Sequence, residues 1–171
     1  MLKHFLPDQH VKSIFEITPE SLKEKGVKGI ITDLDNTLVE WDRPFATPML
    51  IEWFEHIRKN EILVTIVSNN NEKRVKSFAD PLNIPFIYKA RKPMGRAFEK
   101  ALAQMGLRKE ETVVIGDQLL TDVLGGNRNG FHTILVVPIA STDGFLTRFN
   151  RKVERGILSW LRKKGMITWE D

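Results

Sequence analysis

The sequence predicts an α/β protein built on a Rossmann-like, doubly wound parallel sheet of five strands with helices on both faces. Three observations carry this. Short apolar or β-branched runs alternate with helical stretches in the order expected of parallel crossover units. The runs are apolar throughout instead of alternating with polar residues, as strands covered on both faces require. No repeat, low-complexity tract or linker breaks the alternation, so one domain is expected over residues 1–171, with a core at 28–140 and a C-terminal helix from about 144 to 164.

The elements follow in order. Residues 1–20 are mixed and carry no clear periodicity until Thr18, which precedes Pro19 as a helix cap; Gly26 closes that short helix. Lys28 to Leu34 is a strand that runs into acids. Thr47-Pro48 opens a helix with apolar positions at Leu50, Trp53, Phe54 and Ile57. Ile62 to Ser68 is a β-branched strand, and Asn69-Asn70-Asn71 caps the helix after it. Pro85 to Tyr88 is a strand, and Pro93 to Met105 a helix stopped by Gly106. Thr112 to Gly116 is a strand, Leu119 to Asn127 a helix, and His132 to Val137 the last strand.

Composition excludes several function classes. The chain has no cysteine, so disulfides, thiol catalysis and cysteine-ligated metals are ruled out, and a reducing, cytoplasmic setting is expected. The longest apolar stretches, Ile62 to Val67 and Ile134 to Ala140, fall far short of the roughly 20 residues of a membrane span, and the N-terminus has no signal-peptide core. The net charge of +4 is local. Between Phe145 and Lys164 stand Arg148, Arg151, Lys152, Arg155, Arg162, Lys163 and Lys164 against one acid, Glu154. The rest of the chain is slightly acidic, unlike a nucleic-acid binder whose whole surface is basic. Leu146, Phe149, Val153, Ile157, Trp160 and Leu161 recur at helical spacing in the same window. Two readings coexist for this segment: a helix packed on the domain with solvated charges, and a helix lying on an anionic membrane surface, with Arg148, Arg151, Lys152, Arg155, Trp160, Arg162, Lys163 and Lys164 as contacts and the protein peripheral on the inner face.

In a doubly wound sheet, ligands bind beyond the carboxyl ends of the strands. Those ends carry Asp33-Leu34-Asp35-Asn36-Thr37, then Ser68-Asn69-Asn70, then Lys92-Pro93, then Gly116-Asp117 with Asp122 five residues on. Acids suit a hard cation such as Mg2+, and a lysine and a hydroxyl suit phosphoryl oxygens. Each residue alone has an ordinary reading as a turn acid, a cap or a solvated lysine. The specificity lies in the order and spacing of all four groups. Trp41, Arg43, Gln118 and Thr121 stand close by with no assigned role, and the four histidines show no metal-ligand spacing.

These residues resemble the four motifs of the haloacid dehalogenase (HAD) superfamily, subfamily IIIA, beginning with Asp33-Leu34-Asp35-Asn36-Thr37-Leu38. Leu6-Pro7-Asp8, Gly116-Asp117-Gln118-Leu119-Leu120-Thr121-Asp122 and Thr147-Arg148-Phe149-Asn150-Arg151-Lys152-Val153-Glu154 resemble its YqeG-type branch, which includes phosphatidylglycerophosphate phosphatases. The resemblance implies a HAD-type phosphatase that works through an aspartyl-phosphate. Asp33 would be the nucleophile and a Mg2+ ligand. Asp35 would be the general acid and base, with its backbone carbonyl on the metal. Ser68 and Asn69 would bind phosphoryl oxygens, Lys92 would neutralise them, Asp117 would hold Mg2+ and Asp122 would support that shell. The motif spacings, 33 residues from Asp35 to Ser68 and 24 from Ser68 to Lys92, leave no room for a cap domain. An open site suits a phosphomonoester presented at a surface, such as a lipid phosphate. The alternatives are a phosphatase of another phosphorylated small molecule or macromolecule, a receiver-like signalling domain, and a non-catalytic RNA- or ribosome-binding protein using the basic helix, although no specific nucleic-acid motif appears. The oligomeric state is not legible.

Overall fold

The computed structural model describes residues 2–140 and 145–169. Its elements are β1 (Gln9–Val11), α1 (Pro19–Glu24), β2 (Gly29–Thr32), α2 (Pro48–Lys59), β3 (Leu63–Val67), α3 (Glu72–Ala79), β4 (Phe86–Ile87), α4 (Arg96–Met105), β5 (Thr112–Gly116), α5 (Leu124–Arg128), β6 (His132–Val136) and α6 (Phe145–Lys163). The six strands are all parallel, in the order β1-β6-β5-β2-β3-β4. From β2 the chain winds outward to β3 and β4; from β5 it winds the other way to β6. The order therefore reverses between β2 and β5, which is where a doubly wound sheet opens a crevice. The register brings Thr32 level with Ile66 and with Ile115, so Asp33, Ser68 and Asp117 leave the sheet side by side.

Alternate strand residues feed two cores. Ile30, Ile66, Val113 and Ile115 meet Leu22, Trp53, Phe54 and Phe78 from α1–α3 on one face. Ile31, Val67 and Val114 meet Ala97, Phe98, Ala101 and Leu102 of α4 on the other. Leu119, Val123 and Leu135 form a smaller cluster under Ile157 and Leu158 of α6. Thr18 caps α1 through Ser21 N, Thr47 caps α2 through Leu50 N, and Asn71 caps α3 through Arg74 N. Among the described residues, β2 leads to β3 through α2 alone, and β3 to β4 through α3 and one 3-10 turn, so neither connection holds a cap module.

Four details differ from the sequence expectation. The sheet has six strands, not five, because Gln9–Val11 pairs with β6 at Ile134–Val136. Three half-buried residues at a sheet edge carry no periodic signal, and only the neighbouring strand recruits them. The helix expected from Pro93 begins at Arg96, after a cis Lys92–Pro93 bond. Leu119–Val123 is a wide π turn before α5. The expected start of the C-terminal helix near residue 144 and the Leu146 side chain lie outside the described residues. The apolar stripe of that helix is also split. Leu161 is buried and Ile157 half-buried, whereas Phe149 (65%), Val153 (39%) and Trp160 (38%) are exposed.

Candidate active site

The first motif turns sharply at Asn36, which takes a left-handed φ of 61°. Asn36 is buried, its N–H donates to the Val39 carbonyl at 2.7 Å, and its side-chain oxygen accepts from Trp41 N at 3.1 Å. An asparagine tolerates this backbone better than most residues. The turn leaves Asp33 aimed into the crevice while Asp35 stands at its rim. Thr37, which was given no role of its own, donates from Oγ1 to Asp117 Oδ1 at 2.9 Å and so ties the first motif to the fourth.

Lys92 lies at the centre. Its Nζ is 3.0 Å from Asp33 Oδ1 and 2.6 Å from Asp122 Oδ1, and all three side chains are buried. Burial works against the ammonium charge, but Asp122 and Asp33 outweigh it and hold the lysine protonated far above neutral pH. Burial pushes the Asp122 carboxyl up to about 6, Lys92 pulls against it, and Asp33 adds to the rise. Burial, then Asp33, raises Asp117, while Arg151 opposes them. Gly116 permits the crowding, since a Cβ there would lie 2.2 Å from the Asp122 carboxylate.

Asp33, Asp117 and Asp122 present carboxylate oxygens within 4.8 Å of one another. The donor set fits a divalent cation: the oxygens are hard and buried, and burial together with the charge of Asp33 raises Asp117 and Asp122, a repulsion that a dipositive charge would relieve. Asp122 is engaged through Oδ1 with Lys92 and through Oδ2 with Gln118 N at 3.2 Å, and Asp117 through Oδ1 with Thr37 and through Oδ2 with Arg151, whereas Asp33 has only Oδ1 on Lys92 among the described contacts.

The second motif is a set of clamps. Ser68 Oγ accepts from Asn70 N at 3.1 Å, and its hydroxyl proton is unused among the described residues. Asn69 Oδ1 accepts from Lys92 N at 2.8 Å and its amide donates to Lys92 O at 3.3 Å, so Asn69 fixes the lysine backbone. Asn70, which reads as a mere cap in the sequence, donates to Asp35 Oδ2 at 2.9 Å. Arg74 Nε donates to Asp35 Oδ1 at 3.1 Å. Burial raises the Asp35 carboxyl; Asn70 lowers it, Asp33 raises it and Arg74 lowers it again. Asp33, Asp35, Ser68, Lys92, Gln118 and Thr121 share one pocket of about 430 Å³. Trp41 is exposed and Arg43 pairs with Glu40, outside that pocket.

The C-terminal helix closes one side. Asn150 lines the same pocket. Arg151, counted in the sequence among the surface cations, turns inward instead: Nη1 donates to Asp117 O at 2.7 Å and Nη2 to Asp117 Oδ2. Glu154, the one acid of the basic window, is buried, accepts from Arg151 Nη1 at 3.3 Å and caps Leu120 N at 3.2 Å. This ion pair fixes the rotation of α6 and explains why Phe149, Val153 and Trp160 face outward with Lys152, Arg155, Lys163 and Lys164. Lys164 Nζ sits 5.5 Å from the Trp160 ring centroid. The Arg-x-x-Glu spacing at 151–154 was the only sequence signal for the inward pair, since it puts both side chains on one helix face.

Comparison with known proteins identifies the family. The HAD-hydrolase-like family matches residues 89–138, which hold Lys92, Asp117 and Asp122. The probable phosphatase YqeG of Bacillus subtilis is 74% identical over 169 residues, 99% of this chain and 98% of that protein. The chloroplastic/mitochondrial phosphatidylglycerophosphate phosphatase 1 of Arabidopsis thaliana is 32% identical across 92% of this chain, which spans 49% of that longer protein. Among solved structures, the cobalt-bound deoxy-D-mannose-octulosonate 8-phosphate phosphatase of Haemophilus influenzae superimposes with a TM-score of 0.53 at 18% identity, covering 80% of this chain and 90% of that one, a likeness of fold. The strand-end acids, the shared lysine and the near-complete match to a bacterial relative place this chain in the YqeG-type branch of the HAD phosphatases.

Proposed function

We propose that the protein hydrolyses a phosphomonoester with Mg2+ through an aspartyl-phosphate on Asp33, and that its substrate is phosphatidylglycerophosphate met at an anionic membrane surface. The observation that carries the chemistry is the shared Lys92: one buried ammonium bridges Asp33 and Asp122 beside Asp117, with Ser68 and Asp35 lining the same pocket. Lys92 holds Asp33 Oδ1 at 3.0 Å, so that the other oxygen can attack phosphorus in line. As the phosphorus–oxygen ester bond breaks, Asp35 gives its proton to the departing alkoxide. Its raised pKa favours the protonated form that this role needs. Asp35 then takes a proton from water, which attacks the phosphorus of the acyl phosphate; orthophosphate leaves and the Asp33 carboxylate is restored. Ser68 donates to a phosphoryl oxygen. Mg2+ on Asp33, Asp117 and the Asp35 carbonyl would supply the positive charge that lets a dianion approach these acids.

The lipid substrate is supported by the plastid and mitochondrial relative and by the exposed Phe149, Val153 and Trp160 among the basic residues of α6, a pattern that suits an interfacial helix. No helix among the described residues is long and apolar enough to cross a membrane. The test is phosphate release from phosphatidylglycerophosphate in mixed micelles, alongside soluble phosphomonoesters, for the unaltered chain and Asp33→Asn. Turnover of soluble esters without turnover of the lipid ends the substrate assignment, and turnover by Asp33→Asn ends the mechanism.

A further inference from the structure

Beside the catalytic pocket, and sharing Asn69 with it, lies a larger groove of about 950 Å³. Four cations line it: Lys89, Arg91, Arg96 and Lys100. No acid lines it, and among the described residues none of the four has an acidic partner. All four are exposed. The loop that carries two of them is held in an unusual backbone. Lys89 has φ 46° and Arg91 has φ 56°, left-handed conformations that non-glycine residues rarely adopt. The loop is tied to the second motif all along its length: Lys89 N donates to Asn70 O at 2.9 Å, Ala90 N to Ser68 O at 3.0 Å and Lys92 N to Asn69 Oδ1 at 2.8 Å. Ala90 is buried between the two cations. The same latch that seats Lys92 on Asp33 therefore fixes Lys89 and Arg91 on the groove wall.

The two cavities have opposite character. The catalytic pocket brings Asp33 and Asp35 together around Lys92, whereas every charged residue lining the groove next to it is a cation. We propose that the groove is a subsite for a second anionic group, a phosphodiester, carried by the same substrate molecule whose phosphomonoester is cleaved at Asp33. The inference rests on the phosphomonoesterase reading above and deepens it: it seats the second phosphate of such a substrate on Lys89, Arg91, Arg96 and Lys100, across Asn69 from the phosphoryl site. The groove cations hold that phosphate and draw the substrate in, and Asn69, the wall between the cavities, stands under the linking segment. Arg91 immediately precedes Lys92, so phosphate binding in the groove and phosphoryl binding at the lysine are parts of one loop.

The test uses two water-soluble esters that differ by the second phosphate, glycerol 3-phosphate and glycerophosphoglycerophosphate, with the full chain and Mg2+. The unaltered protein is expected to favour the two-phosphate ester in kcat/KM by about tenfold or more, the scale of a charge-assisted contact. In Lys89→Gln/Arg91→Gln and in Arg96→Gln/Lys100→Gln that ratio falls toward one through KM, and Lys89→Arg/Arg91→Lys keeps it. Equal handling of the two esters by the unaltered protein, or a preference that survives neutralisation, overturns the proposal. Vesicles containing phosphatidylglycerol separate the other source of a phosphodiester: variants that lose vesicle binding but keep the preference assign the groove to the bilayer surface and overturn the proposal. If the unaltered protein cleaves neither ester, nor phosphatidylglycerophosphate in mixed micelles, the hydrolase reading fails. Calorimetric titration of Asp33→Asn with the same two esters then decides the groove by itself, with tighter binding of the two-phosphate ester supporting it and equal binding overturning it.

Discussion

Replacing Arg151 by glutamine tests the least anticipated feature of the site. The guanidinium is 16% exposed and the Asp117 side chain fully buried, so the substitution strands a buried carboxylate. Removing one partner of a fully buried ion pair costs about 3–5 kcal/mol. Arg151 keeps some contact with water, and the raised Asp117 pKa lets that group accept a proton, so the expected loss is about 2–3 kcal/mol. For a chain of this length that is about 1–1.5 M in the urea midpoint, and about 5–10 °C in Tm. The loss depends on the metal. Arg151 and a divalent ion serve the same carboxylate, so without the arginine Mg2+ binds more tightly. The stabilisation that saturating Mg2+ confers should then be larger in the variant than in the unaltered chain. The assay is urea unfolding followed by circular dichroism, in EDTA and in millimolar Mg2+. An equal loss in both conditions, or a smaller gain from Mg2+ in the variant, refutes the idea that this residue balances charge at the metal site.

Other substitutions separate chemistry from packing. Asp33→Asn should abolish steady-state phosphate release while shifting the metal-free Tm by only a few degrees, because the lost pairing with buried Lys92 is offset by relief of the repulsion that raises Asp35, Asp117 and Asp122; a thermal melt checks this. Arg74→Gln removes a cation that lowers the Asp35 pKa, so the alkaline limb of the kcat–pH profile, where the general acid loses its proton, should move to higher pH. Gly116→Ala drives a Cβ into the Asp122 carboxylate and should lower stability by about 1–3 kcal/mol while weakening the hold on Lys92, read as a fall in both Tm and kcat. Leu161→Ala empties a fully buried position on α6 and should cost about 2–5 kcal/mol in denaturant unfolding. Trp160→Ser, on the exposed face of the same helix, should leave the Tm unaltered and reduce sedimentation with anionic vesicles.

The strand-end residues were legible in the sequence because each follows an apolar run whose end is marked by a change to polar chemistry. Asp33, Ser68 and Asp117 could be named from that pattern, and the parallel register then places them side by side. The helix caps at Thr18, Thr47 and Asn71 were legible for a similar reason, since the contact of a cap spans only three residues. Linear order also carried the absence of a cap module, because length alone bounds what a connection can hold. Contacts between distant segments were not legible. Asn70 and Arg74 on Asp35, Thr37 on Asp117 and Arg151 on Asp117 join residues 34 to 80 positions apart, and no local propensity encodes them. β1 was missed because an edge strand of three half-buried residues exists only where β6 offers it unpaired hydrogen-bonding groups. The rotation of α6 was decided the same way. Hydrophobic spacing proposed one buried face, but burying the Arg151–Glu154 pair against Asp117 and Leu120 satisfies charges that would otherwise be stranded, and that requirement turned Phe149, Val153 and Trp160 out to solvent.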